Sequence, residues 1–437
     1  MSRIAFLTPL PPQPTGIADY AARLLPALAG QVEVDVFCAH RRPRSIAGVR
    51  IRRPTRRGLG ELGSYDAVVA QIGNSLAHEW IVDWVRRHPC TVVLHELVLH
   101  HLVGAITIGR GKADEYLELL HDEAGDAAVN AAIEAIAGFQ DPLWERAAER
   151  YPMTGVVARH ASGIIVHSRY TADMLAAQGF AAPINVVPFP MVTAPRITET
   201  RTDVDGRVTV GVFGFITSNK RLPVVLRALR LIAARVPGVR LLVVGETSSG
   251  LDVRQLAAQV GLDGDRVEVH GYSDERTYNA LAAGVDLGIC LRHPTFGETS
   301  AAVLDFMARG IPVVVSTGGW YDELPDEAVA RVAPDADEVL RLAATIEHLA
   351  LDRRVRARMG EASFEFVRRD LAPERTADAY VRALLGQAGR PGLESDLERS
   401  LARAVACVTG VQGDDTARSA HDVGEAARQL GLLSGPS

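Results

Sequence analysis

The sequence predicts an α/β protein built from two parallel-sheet domains, and three observations carry that prediction. At 437 residues the chain is long for a single core and fits two domains plus extras. Short apolar runs recur, such as Ile4-Ala5-Phe6-Leu7, Leu241-Leu242-Val243-Val244 and Val313-Val314-Val315, with the length and composition of strands buried on both faces. Many of these runs end in a polar or glycine-containing turn and then pass into helix formers. Composition excludes several function classes. Hydrophobic content of 47% and charged content of 23% describe an ordinary water-soluble globular chain. A net charge of −6 gives no overall pull towards nucleic acid.

Residues 285–316 hold the densest chemistry. An apolar strand candidate over 285–291 leads to a polar loop ending in Gly297-Glu298-Thr299-Ser300, where Thr or Ser can cap a helix. Residues 301–309 carry helix formers, Gly310 supplies the stop, and Pro312 opens the next strand. Unpaired N–H groups and the dipole at the predicted helix start favour a phosphate. Glu298 sits beside that position and Asp305 follows two turns along the helix, about where carboxylates suit the hydroxyls of a sugar and a ribose.

This run resembles the Glu-x7-Glu region of family 4 retaining glycosyltransferases, and within them a bacterial subgroup with a Gly-Glu-Thr-Ser loop. Aligned on Leu304-Asp305 and Gly310-Ile311-Pro312, the family's first Glu falls on Gly297, one position before Glu298, and its second becomes Asp305. The resemblance implies the GT-B fold, two Rossmann-like domains facing across a cleft. The expected division is an acceptor-side domain over 1–191, a nucleotide-sugar domain over 192–385 whose last helices cross back to the first, and a partly helical tail over 386–437. Residues 192–207 lack apolar periodicity and are rich in Thr, which places the hinge there. The resemblance does not reach the tail.

Taken in order, the chain offers a proline-stiffened loop after the first strand, ending at Gly16. A glycine there is either a simple turn residue or a point where a ligand phosphate approaches the backbone. Gly16-Ile17-Ala18-Asp19-Tyr20 resembles the family's loop that closes on the donor pyrophosphate. Arg41, Arg42, Arg44, Arg50, Arg52, Arg53, Arg56 and Arg57 then form a basic stretch, read either as a solvated loop or as a dock for an anionic membrane surface. It lacks the interleaved aromatics of a single-strand nucleic-acid site. Gln71-x-Gly73-Asn74…His78 resembles residues lining the family's cleft. His95, at the end of a buried strand, falls on the family's active-site histidine, which contacts the transferred sugar. His100 and His101 follow without the partners of a metal site. Residues 105–160 read as helical.

The second domain opens on Val208-Thr209-Val210-Gly211-Val212-Phe213-Gly214, a strand into a glycine turn. In the family an Arg just after this turn and a Lys five residues later neutralise the diphosphate. Here Phe215 takes the Arg position, Lys220 is kept, and Arg221 or Arg292 is the candidate replacement guanidinium. The turn at Gly271 is implied to cup the nucleobase through backbone groups. Glu323 resembles a family Glu.

The resemblance therefore implies a retaining glycosyltransferase of hexosyltransferase type. Its expected catalytic residues are His95, Lys220 and Glu298. Gly16, Asn74, Arg221, Gly271, Arg292, Gly297, Thr299, Ser300 and Asp305 are expected to bind substrate. No metal or other cofactor is expected beyond the nucleotide-sugar co-substrate. The acceptor would be a glycan, a lipid-linked sugar or a small molecule. Alternatives on the same fold are a catalytically degenerate nucleotide-sugar-binding module and an epimerase. Scattered Cys38, Cys90, Cys290 and Cys407, the direct opening into a strand and the lack of any apolar run near about 18 residues point to the cytoplasm. The basic stretch leaves open a peripheral position at the inner face of the membrane.

Overall fold

Seven strands pair in the first half of the chain: β1 (Arg3–Leu7), β2 (Glu33–Phe37), β3 (Val49–Arg52), β4 (Ala67–Ile72), β5 (Cys90–Leu94), β6 (Ala161–Val166) and β7 (Ile184–Val186). Six pair in the second: β8 (Val208–Phe213), β9 (Val239–Val244), β10 (Val267–His270), β11 (Leu287–Cys290), β12 (Val313–Ser316) and β13 (Val329–Val332). The computed structural model describes residues 1–194, 207–248, 250–262 and 264–386. Most of the expected hinge, and the tail from residue 387, lie outside the described residues.

All pairings in both sheets are parallel. The orders are β3-β2-β1-β4-β5-β6-β7 and β10-β9-β8-β11-β12-β13. In each sheet the strand order reverses beside the first strand, between β1 and β4 and between β8 and β11. A doubly wound sheet binds its ligands in the crevice at the carboxyl ends of such strands. Gly16 and Asn74 follow β1 and β4; Lys220 and Arg292 follow β8 and β11. Topology thus puts the expected site residues of both halves at their switch points. Both sheets belong to one compact unit, Met1–Tyr380, and Val381–Ser437 forms a second.

Two strands are absent from the sequence reading. β13 is short and interrupted by Arg331. β3 lies inside the basic stretch, and its presence corrects the loop reading of residues 49–52. It pairs with β2 so that Asp35 faces Arg50 and Phe37 faces Arg52. Arg50 lies 3.0 Å from Glu33 and 3.3 Å from Asp35, while Arg52 bonds Glu61 at 2.5 Å and lies 3.7 Å from Asp35. These arginines charge an edge strand, a common guard against further pairing, and acidic neighbours neutralise them.

The helix Gly16–Ala29 starts at Thr15, whose side chain accepts the Ala18 N–H at 3.0 Å. Its Tyr20 is fully buried and meets Tyr380 of the helix Pro373–Leu385, hydroxyl to hydroxyl, at 2.7 Å. Asp378 of the same helix accepts from Gln31 at 2.7 Å. The last helix therefore packs on the first domain. Among the described residues no helix is long and apolar enough to cross a membrane.

Three buried histidines brace the first domain. His78 donates Nδ1–H to the Gln71 carbonyl, His167 donates Nδ1–H to the Val187 carbonyl, and His100 Nε2 lies 2.7 Å from the Tyr116 hydroxyl. Burial pushes each down to about 4. An unfolded histidine titrates near 6.5, so between pH 6.5 and 4 the unfolded chain binds the extra protons and stability falls with acidification. Each histidine contributes about 1.4 kcal/mol per pH unit in that window. Glu96, which burial raises to about 7, opposes one of them. Urea denaturation at pH 7, 6 and 5 should show a net loss of roughly 1–3 kcal/mol per unit. A flat profile would place these histidines in contact with solvent.

Candidate functional site

A pocket opens where β8 and β11 end, lined by Lys220, Cys290, Arg292, Ser300 and Tyr321 among others. Lys220 ends the short 3-10 turn Ser218–Lys220 and donates Nζ–H to the Phe213 carbonyl at 2.6 Å. Burial pushes its pKa down to about 7, and the Arg292 charge adds to the fall. Arg292 donates Nη1–H to Asn219 Oδ1 at 3.0 Å, and its Nε lies 2.8 Å from Glu298 Oε1. Its backbone N–H donates to Ser316 Oγ at 2.9 Å, tying it to the end of β12. Gly214, with φ +88°, lets Lys220 fold back, since a Cβ there would stand 3.0 Å from Nζ. Two cations and one carboxylate share a half-buried space, which favours a ligand carrying negative charge.

Glu298 is also held by its own loop: Oε2 accepts the Phe296 N–H at 2.6 Å. Gly297 explains why the acid stands one position late. Its φ is +74°, and a Cβ there would lie 2.7 Å from the Leu97 Cβ of the first domain. No glutamate fits that backbone. Around it the two halves join through main-chain groups. Leu97 and Val98 donate N–H to the Phe296 carbonyl at 2.8 and 3.2 Å, and Thr171 Oγ1 donates to the Gly297 carbonyl at 2.7 Å. Glu323 accepts the N–H groups of Arg169 and Tyr170 at 3.0 and 2.8 Å, and so caps the helix Arg169–Ala177 of the opposite half.

Arg221 requires a correction. Its φ is +54°, and its guanidinium forks onto Glu338, a carboxylate only 1% exposed that must have a cation beside it. That ion pair removes it from the pocket, and Arg292 is the guanidinium that occupies the site. The predicted helix 301–309 is shorter, Ala301–Met307, and Ser300 at its N-cap makes no side-chain capping bond. Thr299 is half-buried beside it. Asp305 is buried within that helix, with Oδ1 3.4 Å from Arg309. Gly271 ends β10 in an exposed turn with open space around it, and Phe215 is exposed after β8. Gly16 begins the first helix, also with open space beside its Cα.

The first domain supplies the facing wall. His95 Nε2 bonds Gln71 Oε1, and its ring meets the Tyr20 ring edge-on at 4.5 Å. Asn74 ties two loops together: its N–H donates to Glu96 at 2.9 Å, Oδ1 accepts the Leu102 N–H at 2.7 Å, and Nδ2 donates to His101 at 3.3 Å. Glu96 was not assigned a role from sequence. Burial raises its carboxyl to about 7, Glu298 adds to the rise, and the Asn74 N–H and Arg292 oppose it. Its signal in the sequence was only its place next to His95 at a strand end. Among the described residues no group of three or more His, Cys, Asp or Glu is arranged to hold a metal ion.

The comparisons fit this geometry. Residues 207–352 match the family model described as glycosyl transferases group 1, so the match falls on the half that holds Lys220, Arg292 and Glu298. The Alr3699/HepE protein of Anabaena, solved with UDP and glucose, superposes with TM-score 0.59 at 16% identity, over 88% of this chain and 99% of that one. Sucrose-phosphate synthase of Thermosynechococcus elongatus gives 0.60 at 16%, over 90% and 100%. The fold is GT-B. A glycosyltransferase of Rickettsia africae gives 0.56 at 11% identity, over 89% of this chain and 99% of that one. No curated protein sequence matches the chain.

The GT-B cleft of this chain is closed at Gly297, which provides a direct test. Gly297→Ala must strain a left-handed backbone and overlap Leu97, at an expected cost of about 1–3 kcal/mol in urea unfolding. Gly271→Ala, in open space, should change stability by less than about 0.5 kcal/mol. Equal effects at the two positions would contradict the close approach.

Proposed function

We propose that the protein is a retaining glycosyltransferase that moves a sugar from a nucleoside diphosphate sugar to an acceptor hydroxyl. The observation that carries this reading is the placement of half-buried Lys220 and Arg292 together at the β8–β11 switch point, in the segment that matches group 1 glycosyltransferases. A diphosphate supplies the negative charge that two desolvated cations require. The bond from the sugar C1 to the β-phosphate oxygen breaks while the acceptor oxygen attacks C1 from the same face. The acceptor proton passes to the departing phosphate oxygen. Lys220 and Arg292 stabilise the charge that develops there, and positioning supplies the rest. Glu298 orients the donor sugar, Asp305 the ribose, and His95 the transferred sugar. Gly16 and Gly271 admit the pyrophosphate and the base against the backbone. No metal or cofactor takes part in this scheme.

A second reading keeps the nucleotide sugar and drops catalysis. Glu298 is engaged by Arg292 and the Phe296 N–H, and Phe215 stands exposed in place of a guanidinium; both favour a binding module. Hydrolysis assays across UDP-, GDP- and dTDP-sugars separate the two. Turnover of one donor supports the transferase, whereas tight binding without turnover supports the module.

Lys220→Ala should lower turnover by roughly 10²-fold, with circular dichroism unchanged. The affinity for UDP should depend on pH in a stated direction. Lys220 in the empty pocket titrates near 7, and the diphosphate binds its charged form. From pH 7 to 9 binding must take up a proton, so affinity should fall by up to about tenfold per unit in titration calorimetry. Lys220→Ala should flatten that slope, and a flat wild-type profile would remove Lys220 from the diphosphate.

For a lipid-linked acceptor, the basic stretch would hold the enzyme on the inner face of the membrane. Arg44, Arg50, Arg52 and Arg57 already lie beside acids, which leaves Arg41, Arg42, Arg53 and Arg56 for the surface. Each would contribute on the order of 1 kcal/mol near an anionic bilayer. Flotation with anionic liposomes should therefore weaken from low to physiological salt, where screening acts within about 8 Å. Protein that does not float even at low salt has a soluble acceptor.

A further inference from the structure

Beneath His95 lies a chain of hydrogen bonds that the transfer scheme does not use. Tyr20, Gln71 and Tyr380 are each 0% exposed. His95 Nε2 meets Gln71 Oε1, Gln71 Nε2 donates to the Tyr380 hydroxyl at 3.4 Å, and that hydroxyl lies 2.7 Å from the hydroxyl of Tyr20. Tyr20 closes the loop by setting its ring edge-on against His95 at 4.5 Å and 83°. The chain links four distant places: the helix after the glycine loop, the middle strand β4, the end of β5, and the helix Pro373–Leu385.

An amide oxygen accepts and cannot donate, so the imidazole nitrogen facing it must carry the proton. Turning the Gln71 amide over would reverse this and put the proton on Nδ1. What distinguishes the two orientations is the partner at the other end of the amide. When the Tyr380 hydroxyl spends its own proton on Tyr20, its oxygen can only accept, and the NH2 end of the Gln71 amide must face it. We propose that Tyr380 is a positioning residue for His95: it accepts from the Gln71 amide, turns the amide oxygen onto Nε2, and leaves Nδ1 as an acceptor for a substrate hydroxyl. The last clause rests on the transferase reading, in which His95 faces the transferred sugar; the tautomer does not.

The surroundings keep the ring in one charge state. Burial holds the His95 pKa well below its usual range, and His167 and His78 act in the same direction. Its ring lies 5.2 Å from that of His167, whose Nδ1–H is spent on the Val187 carbonyl. With protonation suppressed, orientation and tautomer are the properties left for the protein to set.

The test uses the full-length, ligand-free protein labelled with 15N-histidine. The His95 signals are assigned by their loss in His95→Gln. From pH 6 to 8 they should show a protonated Nε2 and an unprotonated Nδ1, without titrating. Tyr380→Phe should shift them towards the Nδ1–H form or a mixture. On the donor that the wild type hydrolyses, the same variant should lose up to about 10²-fold in kcat with KM little changed. If Tyr380→Phe does not fold, Gln71→Met removes the amide and should produce the same spectral change. An Nδ1–H wild type, or variant spectra identical to wild type, would overturn the proposal. A wild type with the expected spectrum and no turnover of any donor would overturn the transferase reading and leave the relay standing.

Discussion

The approach of Gly297 to Leu97 constrains most of what surrounds it. Main-chain groups meet across the two halves there with no side chain on residue 297, because a Cβ at that position would overlap Leu97. The Phe296 carbonyl can then take two N–H groups from the opposite loop. The acidic residue follows at 298, and its carboxylate turns back onto the Phe296 N–H and out to Arg292. The position of Arg292, and through it the charge environment of Lys220, thus depends on a contact made with the other domain. A loop held by backbone groups at both ends also has few ways to shift without breaking several bonds together.

Electrostatics makes the empty pocket tense. Lys220 is half-buried and hydrogen-bonded to the Phe213 carbonyl, and a neighbouring arginine opposes its charge. A lysine so placed exchanges its proton readily, unlike the exposed cations of the basic stretch. Arg221, one residue on, is occupied by a purely architectural task against Glu338. Adjacent cations in a sequence can therefore belong to different machinery. The same holds for Arg50 and Arg52, whose charges the acids of β2 and the following turn absorb.

Much of the architecture was legible because parallel strands buried on both faces are continuous apolar runs, and their order is fixed by strand–helix alternation. β3 and β13 escaped for the complementary reason. A charged edge strand reads as a loop because the acids that neutralise it sit on another strand, as Glu33 and Asp35 of β2 do for Arg50. Lys220, Glu298 and His95 are expected at the site from spacing and resemblance. Arg221 and Arg292 could not be separated on sequence, since the choice turns on Glu338, more than a hundred residues from Arg221. Glu96 carried no motif; its unusual protonation comes from burial and from Glu298 in the other half.

The bond between Tyr20 and Tyr380 spans 360 residues of chain. A ribosome delivers Tyr20 long before its partner, so the nascent first domain must wait with an apolar gap and an unsatisfied hydroxyl where the last helix will lie. Until then it is an incomplete body, prone to remain loose or to attract a chaperone. Any fragment ending before that helix would share this fate, even one that kept every strand of the first sheet. The closing helix acts as a receipt for full-length synthesis, and the surroundings of His95 mature only after nearly all of the described chain has been made.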